Sequence, residues 1–266
     1  MRRSLILEKL AQNETSWGVS LHLTDPSLFE MVSMLGVDGI WIDMEHHGFS
    51  VQTASEMMRA TRVGDSDVIA RPAKGEFMRM GRMLEMGATG IMYPRCESPQ
   101  EAAEIVRWAK FSPLGERGVD GGNADMPFCS MPYDEYVQFA NEQTFIVAQL
   151  EQPRAVEQAE AILAVPGISM IMLGPGDFSV LAGIPGKFDH PKVQKAHEQV
   201  AAAARNTGKN WAANAGSIER AKQLVELGSR LIFYGTDLLL VKSGMQSIRQ
   251  NLETAGVRCR APRLRM

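Results

Sequence analysis

Ile168-Ser169-Met170-Ile171-Met172-Leu173-Gly174-Pro175-Gly176-Asp177-Phe178-Ser179 reads as a buried strand that breaks at a Gly-Pro-Gly turn and delivers one carboxylate, Asp177, just beyond its end. A parallel strand reaches an active face in this way. About one crossover unit upstream the pattern repeats, because Phe145-Ile146-Val147-Ala148-Gln149-Leu150-Glu151 is a short apolar run closed by a second acid. As neighbours in a parallel sheet, Glu151 and Asp177 would sit side by side and repel unless a proton or a hard cation lies between them. Either acid alone also reads as a helix N-cap; the pair points to a site.

Working outward, apolar strand-like runs alternate with helix-like segments along the chain. The strand candidates are Trp17–Leu23, Gly39–Asp43, Val68–Arg71, Gly90–Pro94, Phe145–Glu151, Ile168–Gly174, Trp211–Asn214 and Leu231–Tyr234. Helical spacing marks segments such as Leu5–Ala11, Glu76–Met86, Pro99–Lys110, Arg154–Leu163, Val193–Asn206, Ile218–Leu227 and Leu238–Ala255. Ser98-Pro99-Gln100-Glu101 is a helix start, and Gly36, Gly87, Gly167, Gly208 and Gly228 supply stops. Eight such units fit a single (β/α)8 barrel over residues 1–255, and a doubly wound open sheet would rarely need eight strands at this length. Residues 256–266 form a basic tail with Arg258, Arg260, Arg263 and Arg265. The rhythm breaks once, in a Gly- and Pro-containing connection at 111–143, read as a functional lid or an intersubunit arm.

The 266 residues, 45% hydrophobic, suffice to bury a full core. A net charge of -3 leaves no broad basic surface, which argues against nucleic acid. No apolar run reaches membrane-spanning length, and the start is too short for a signal peptide. Cys96, Cys129 and Cys259 make neither a CxxC pair nor an even framework, so they read as free thiols of a reducing compartment. The expectation is a soluble cytoplasmic protein.

Barrel chemistry belongs at the C-terminal ends of strands, and there the chain places Asp43-Met44-Glu45-His46-His47, Arg71, Glu151 and Asp177. Carboxylate oxygens suit Mg²⁺, Mn²⁺ or a similar hard ion, whereas zinc would want more His or Cys. With two protein ligands such an ion keeps open positions, which an α-keto acid fills through its carboxylate and keto oxygen, so that the enolate is stabilised. Gly176 lets a backbone NH approach the substrate carboxylate, Arg71 offers a fixed planar charge to the oxyanion, and His46 or His47 would move the proton. Gly174–Ser179 departs from a dinucleotide fingerprint, and Gly115–Gly122 lacks the Lys-Ser/Thr of a phosphate loop. Met78, Met80, Met83 and Met86 read as packing or a subunit contact, and His190 and His197 as surface residues.

Ile42-Asp43-Met44-Glu45-His46, Ala70-Arg71-Pro72, Leu84-Glu85-Met86-Gly87-Ala88, Arg117-Gly118-Val119, Gln149-Leu150-Glu151 and Gly174–Ser179 together resemble the HpcH/HpaI family of class II, metal-dependent pyruvate aldolases. The likeness runs from about Ser16 to Met245. It implies Glu151 and Asp177 as metal ligands, Asp177 also bordering the substrate, with Gln149 and Gly176 as pyruvate contacts. It further implies His46 as the base, Arg71 as the transition-state stabiliser, and a carboxylate that tunes the histidine at Glu85, where the family usually has Asp. Asp43 is the alternative for that tuning. Two more departures, at Ser20-Leu21-His22 in place of a frequent Trp and at Asn214 in place of an apolar residue, suggest a roomier or more polar aldehyde pocket. Members are typically hexamers of dimers that exchange the last barrel helix, here Leu238–Ala255. The implied reaction is reversible cleavage of a 4-hydroxy-2-oxo acid to pyruvate and an aldehyde through a metal-bound enolate. The rivals are an acyl-CoA lyase of the citrate lyase β or malyl-CoA lyase type, for which no basic adenine-phosphate cleft stands out, and a catalytically silent binding or assembly barrel.

Overall fold

The apolar runs become strands because both of their faces are covered, one by the barrel interior and one by helices. In a computed structural model that describes residues 3–262, the strands are β1 Ser16–Leu21, β2 Gly39–Asp43, β3 Asp67–Arg71, β4 Gly90–Tyr93, β5 Phe145–Leu150, β6 Met170–Leu173, β7 Asn210–Asn214 and β8 Leu231–Thr236. All neighbours pair in parallel and β8 returns to β1, closing the (β/α)8 barrel that the alternation predicts.

The helices are α1 Leu5–Ala11, α2 Pro26–Met34, α3 Val51–Ala60, α4 Phe77–Met86, α5 Pro99–Ala109 and α6 Tyr133–Gln143, then α7 Pro153–Glu157, α8 Ala159–Ala164, α9 Pro175–Leu181, α10 Pro191–Thr207, α11 Ile218–Glu226 and α12 Asp237–Thr254. Their ends follow local chemistry. Ser98 Oγ caps α5 by accepting from the Glu101 NH at 3.2 Å, with Pro99 in the first turn, while Gly87 and Gly208 close α4 and α10 in the left-handed conformation. The helix expected over Arg154–Leu163 is broken at Gln158, whose side chain turns to the carbonyls of Glu97 and Arg154.

Inside the barrel, Trp41, Ile69, Met92, Phe145, Val147, Met170, Met172, Leu231 and Phe233 pack together, and Ile6 from α1 plugs the end where the strands begin. Large and small residues interdigitate there: a Cβ on Gly90 would lie 2.5 Å from the Phe145 ring and one on Gly18 2.6 Å from Phe233. A second apolar layer fills the space between strands and helices.

Two expectations change. The long connection shrinks, because its last part is α6, and its position differs from that of a lid. It follows α5, so it lies where the strands start, at the end of the barrel opposite the strand C-termini. Asp125 NH bonds there to the Glu85 carbonyl at the end of α4. His197, expected at the surface, is buried on α10 with Nδ1 3.0 Å from the Val193 carbonyl. Burial, then the nearby Arg220 charge, push its pKa down to about 4. Arg258 and Arg260 follow α12 without regular structure; Arg263 and Arg265 lie outside the described residues.

Candidate active site

Parallel register decides which side chains meet. Gln149 pairs with Met172 and Leu150 with Leu173, and the Gly174 NH continues the ladder to the Leu150 carbonyl at 2.9 Å. Glu151 and Gly174 therefore emerge together at the mouths of β5 and β6. Gly174 must lack a side chain, since a Cβ would lie 2.5 Å from both Cγ and Oε1 of Glu151 and 2.9 Å from Gln149 Nε2. Three residues on, in the first turn of α9, Asp177 faces the same mouth at half-buried exposure. Glu151 is buried. Burial first, then the repulsion of Asp177, then that of Glu45, outweigh the pull of Arg71 and the Arg95 NH, and push its carboxyl up to about 7.

On the next strands Asp43 pairs in register with Arg71. The two make a buried fork, with Nε to Oδ1 at 3.0 Å and Nη2 to Oδ2 at 2.7 Å, while the guanidinium stacks 4.6 Å over Trp41. Arg71 Nη1 also donates to Gln149 Oε1 at 3.1 Å, fixing the amide whose carbonyl side it occupies. Burial alone would raise the Asp43 carboxyl, but Arg71 and the NH groups of Glu45 and His46 outweigh it and hold it below the usual range. His46 is exposed, with Nε2 3.5 Å from Glu45 Oε2; His47 is less so and lies 3.8 Å from Asp43 Oδ2. Burial, then the proximity of His22, lower the pKa of His47.

The mouth thus gathers Asp43, His46, Arg71, Gln149, Glu151, Gly176 and Asp177. Glu85 is different. It sits at the far end of α4, beside the start of β4, in the field of Arg117, Asp120, Asp125 and Arg82, and no contact with His46 exists among the described residues. A helix returning from a strand end carries its last turn to the opposite end of the barrel, so Glu85 does not reach His46 within one chain. Within one chain the carboxylate beside the His46 ring is Glu45, at 3.5 Å, and the one beside the His47 ring is Asp43, at 3.8 Å.

Two further residues belong to the site. Glu45 is half-buried, pairs loosely with Arg71 Nε at 3.4 Å, and its Oε2 makes no hydrogen bond among the described residues. Arg95, just past β4, has a left-handed backbone at φ 51 that aims its NH at Glu151 Oε2, 2.8 Å away. Its guanidinium stands 3.4 Å from Asp177 and 3.8 Å from Glu45. The strand-end rule, applied to β4 as well, would have found it.

Among the described residues no cluster of three or more His, Cys, Asp or Glu is arranged to hold a metal ion. The donors present are carboxylate oxygens: burial, then the repulsion of Asp177, raise the Glu151 carboxyl, and Glu45 Oε2 makes no hydrogen bond among the described residues. That donor set fits a hard divalent cation held by Glu151 and Asp177.

A family model for HpcH/HpaI aldolase/citrate lyase matches residues 17–243, nearly the whole barrel. The chain belongs to this HpcH/HpaI family. Among its relatives, the 4-hydroxy-2-oxo-heptane-1,7-dioate aldolase of Escherichia coli is 29% identical over 231 residues, covering 87% of this chain and 88% of the relative. The 2-keto-3-deoxy-L-rhamnonate aldolase of Salmonella paratyphi B is 29% identical over 240 residues, 90% of each chain. The crystal structure of an HpcH/HpaI aldolase from Desulfitobacterium hafniense superposes with a TM-score of 0.89 at 29% identity, covering 98% of this chain and 100% of the other.

Proposed function

We propose that the chain cleaves a 4-hydroxy-2-oxo acid reversibly to pyruvate and an aldehyde, with Glu151 and Asp177 holding a divalent cation. The observation that carries this is the meeting of those two carboxylates at adjacent strand mouths, where burial, then the repulsion of Asp177, push Glu151 up to about 7. Aldolase activity in relatives that match across most of the chain supports the reaction class. When bound, Mg²⁺, Mn²⁺ or Co²⁺ supplies Lewis-acid stabilisation of charge on the keto oxygen.

The chain's own groups do the rest. Arg71, immobilised by Asp43 and Trp41, points a permanent charge at the developing oxyanion and costs little reorganisation in doing so. Gln149 Nε2, whose partner oxygen is tied to Arg71, and the NH of Gly176 orient the pyruvate carboxylate. Gly176 has open space where a Cβ would be, so substrate can approach its backbone. His46 removes the methyl proton, a task worth roughly 10²- to 10⁴-fold. Glu85 enters this chemistry only if α4 of a second copy meets the mouth. Such a copy has a place to dock: α12 leaves Leu238, Leu239, Leu240, Val241, Met245, Ile248 and Leu252 exposed, and the reading includes a homo-oligomer, a hexamer of helix-exchanging dimers, covering this face. No helix among the described residues is long and apolar enough to cross a membrane. Its free cysteines support a cytoplasmic setting.

The test is pyruvate methyl-proton exchange in D₂O with each metal, followed by a panel of aldehydes scored for adduct. Replacing Glu151 or Asp177 by Ala is expected to lower metal-dependent exchange by about 10³-fold or more, several kcal/mol of lost stabilisation. Full exchange in both variants would remove the metal site.

A further inference from the structure

We propose that His22, held by Asp237, carries the proton for the aldehyde half of the substrate. The proposal rests on the aldolase reading and extends it to the β8–β1–β2 side of the mouth, which that reading leaves without a role. His22 is the first residue after β1 and Asp237 the first of α12, directly after β8.

Asp237 is 1% exposed and accepts four hydrogen bonds: from the NH of His22 and of Leu23 at 2.7 Å each, from the Leu238 NH at 2.8 Å, and from His22 Nδ1 at 2.8 Å. Burial opposes its ionisation, but these donors outweigh burial and hold the carboxyl below the usual range. An ionised carboxylate can only accept, so Nδ1 bears the proton and Nε2 is the nitrogen left to work. The ring is fixed in position and tautomer. At 15% exposure its side chain is neither sealed in the core nor free in solvent.

The His22 ring lies 4.3 Å from that of His47, His47 Nε2 is 3.8 Å from Asp43 Oδ2, and Asp43 grips Arg71. A row of neighbouring side chains therefore runs from the end of β8 past those of β1 and β2 to β3, ending on the guanidinium assigned to the oxyanion. Glu151 and Asp177 face it from β5 and α9. Pyruvate between Arg71 and the acid pair leaves the His22–His47 side for the aldehyde.

In cleavage, the C4 hydroxyl gives its proton to Nε2 of neutral His22. The C3–C4 bond breaks, its electron pair passes to pyruvate as the enolate, and the C4–O electrons close the aldehyde carbonyl. In condensation the new C4 alkoxide takes the proton back from Nε2. Deprotonation of the pyruvate methyl is a separate transfer and falls to His46.

That separation is the test. On the Mn²⁺-loaded enzyme two rates are read, pyruvate proton exchange in D₂O and condensation of pyruvate with glycolaldehyde or propionaldehyde. His22→Gln, and His22→Phe to fill the ring's space, are expected to lower condensation relative to exchange by about 10²-fold or more. Asp237→Asn, which no longer dictates the tautomer, lowers the same ratio by about tenfold. An unchanged ratio, whether both rates fall together or neither falls, overturns the role of His22. Absence of exchange in the unmodified enzyme would instead sink the aldolase reading.

Discussion

At the end of the barrel where the strands begin, the buried Arg117 has a carboxylate to itself; at the end where they finish, three acids lie around guanidiniums engaged elsewhere. Arg117 in the insertion after α5 is buried against Asp125 at 2.8 Å, Tyr136 OH donates to the same carboxylate at 2.7 Å, and the guanidinium lies 4.5 Å over Phe111. Lys110 Nζ has no carboxylate and is held by three neutral oxygens of Asn141 and Thr144 within 2.9 Å, while burial, then the Arg117 charge, push its pKa down to about 8. At the mouth, Glu45, Glu151 and Asp177 share two guanidiniums, of which Arg71 is already spent on Asp43 and Arg95 stands off at 3.4 Å or more. Buried charges that serve the fold come with their partners; charges left short of one mark where a ligand is to complete the set.

The comparison predicts opposite responses to removing a charge. Arg117→Met strands Asp125 in the interior and is expected to cost about 3–5 kcal/mol in urea unfolding, with metal-dependent proton exchange unchanged within about twofold. Glu151→Gln should do the reverse. A carboxyl raised in the folded state to about 7 from an ordinary 4.5 costs nothing below pH 4.5, where both states are protonated. The cost grows as pH rises to 7 and is then constant at about 3 kcal/mol. Without divalent ions the Gln variant is therefore expected to melt higher than the unmodified protein at pH 8 and alike at pH 4.5; a lower melting point at pH 8 would break the contrast.

Gly174→Ala sharpens it by geometry rather than charge. The new Cβ collides with Glu151, and moving that carboxylate by about an ångström is expected to lower exchange about 10²-fold with folding retained. Arg71→Lys keeps the charge but loses the fork on Asp43 and the stacking on Trp41, and should lower kcat about tenfold with a smaller change in KM.

Much of this was legible in the chain. All eight strands announce themselves as apolar runs closed by turn residues or acids, because a sheet buried on both faces needs no alternation. Glu151, Asp177, Arg71 and Asp43 were legible for the same reason: they follow those runs directly. Of the two readings of the insertion, a lid over its own barrel fails, and the chain holds the clue, for a segment that follows a helix such as α5 emerges where strands start; an intersubunit arm is compatible with that position. Glu85 stands apart from His46 within one chain, since the resemblance that singles it out says nothing about which copy's site the end of a helix faces. The position of Arg95 just past β4 is legible by the same strand-end rule; the left-handed backbone that aims its NH at Glu151 is not. His197 escaped because a histidine on an Ala-rich helix carries no mark of burial.

The central claim is that Glu151 and Asp177 are a carboxylate pair awaiting a divalent cation. Calorimetric titration of Mn²⁺ into the substrate-free protein at pH 7, in buffers of different ionisation heat, tests it most directly. The account predicts one ion per chain and release of on the order of half a proton, as Glu151 is driven to its ionised form, with both lost in Glu151→Gln. Binding of equal strength in that variant, or binding without proton release, would contradict it.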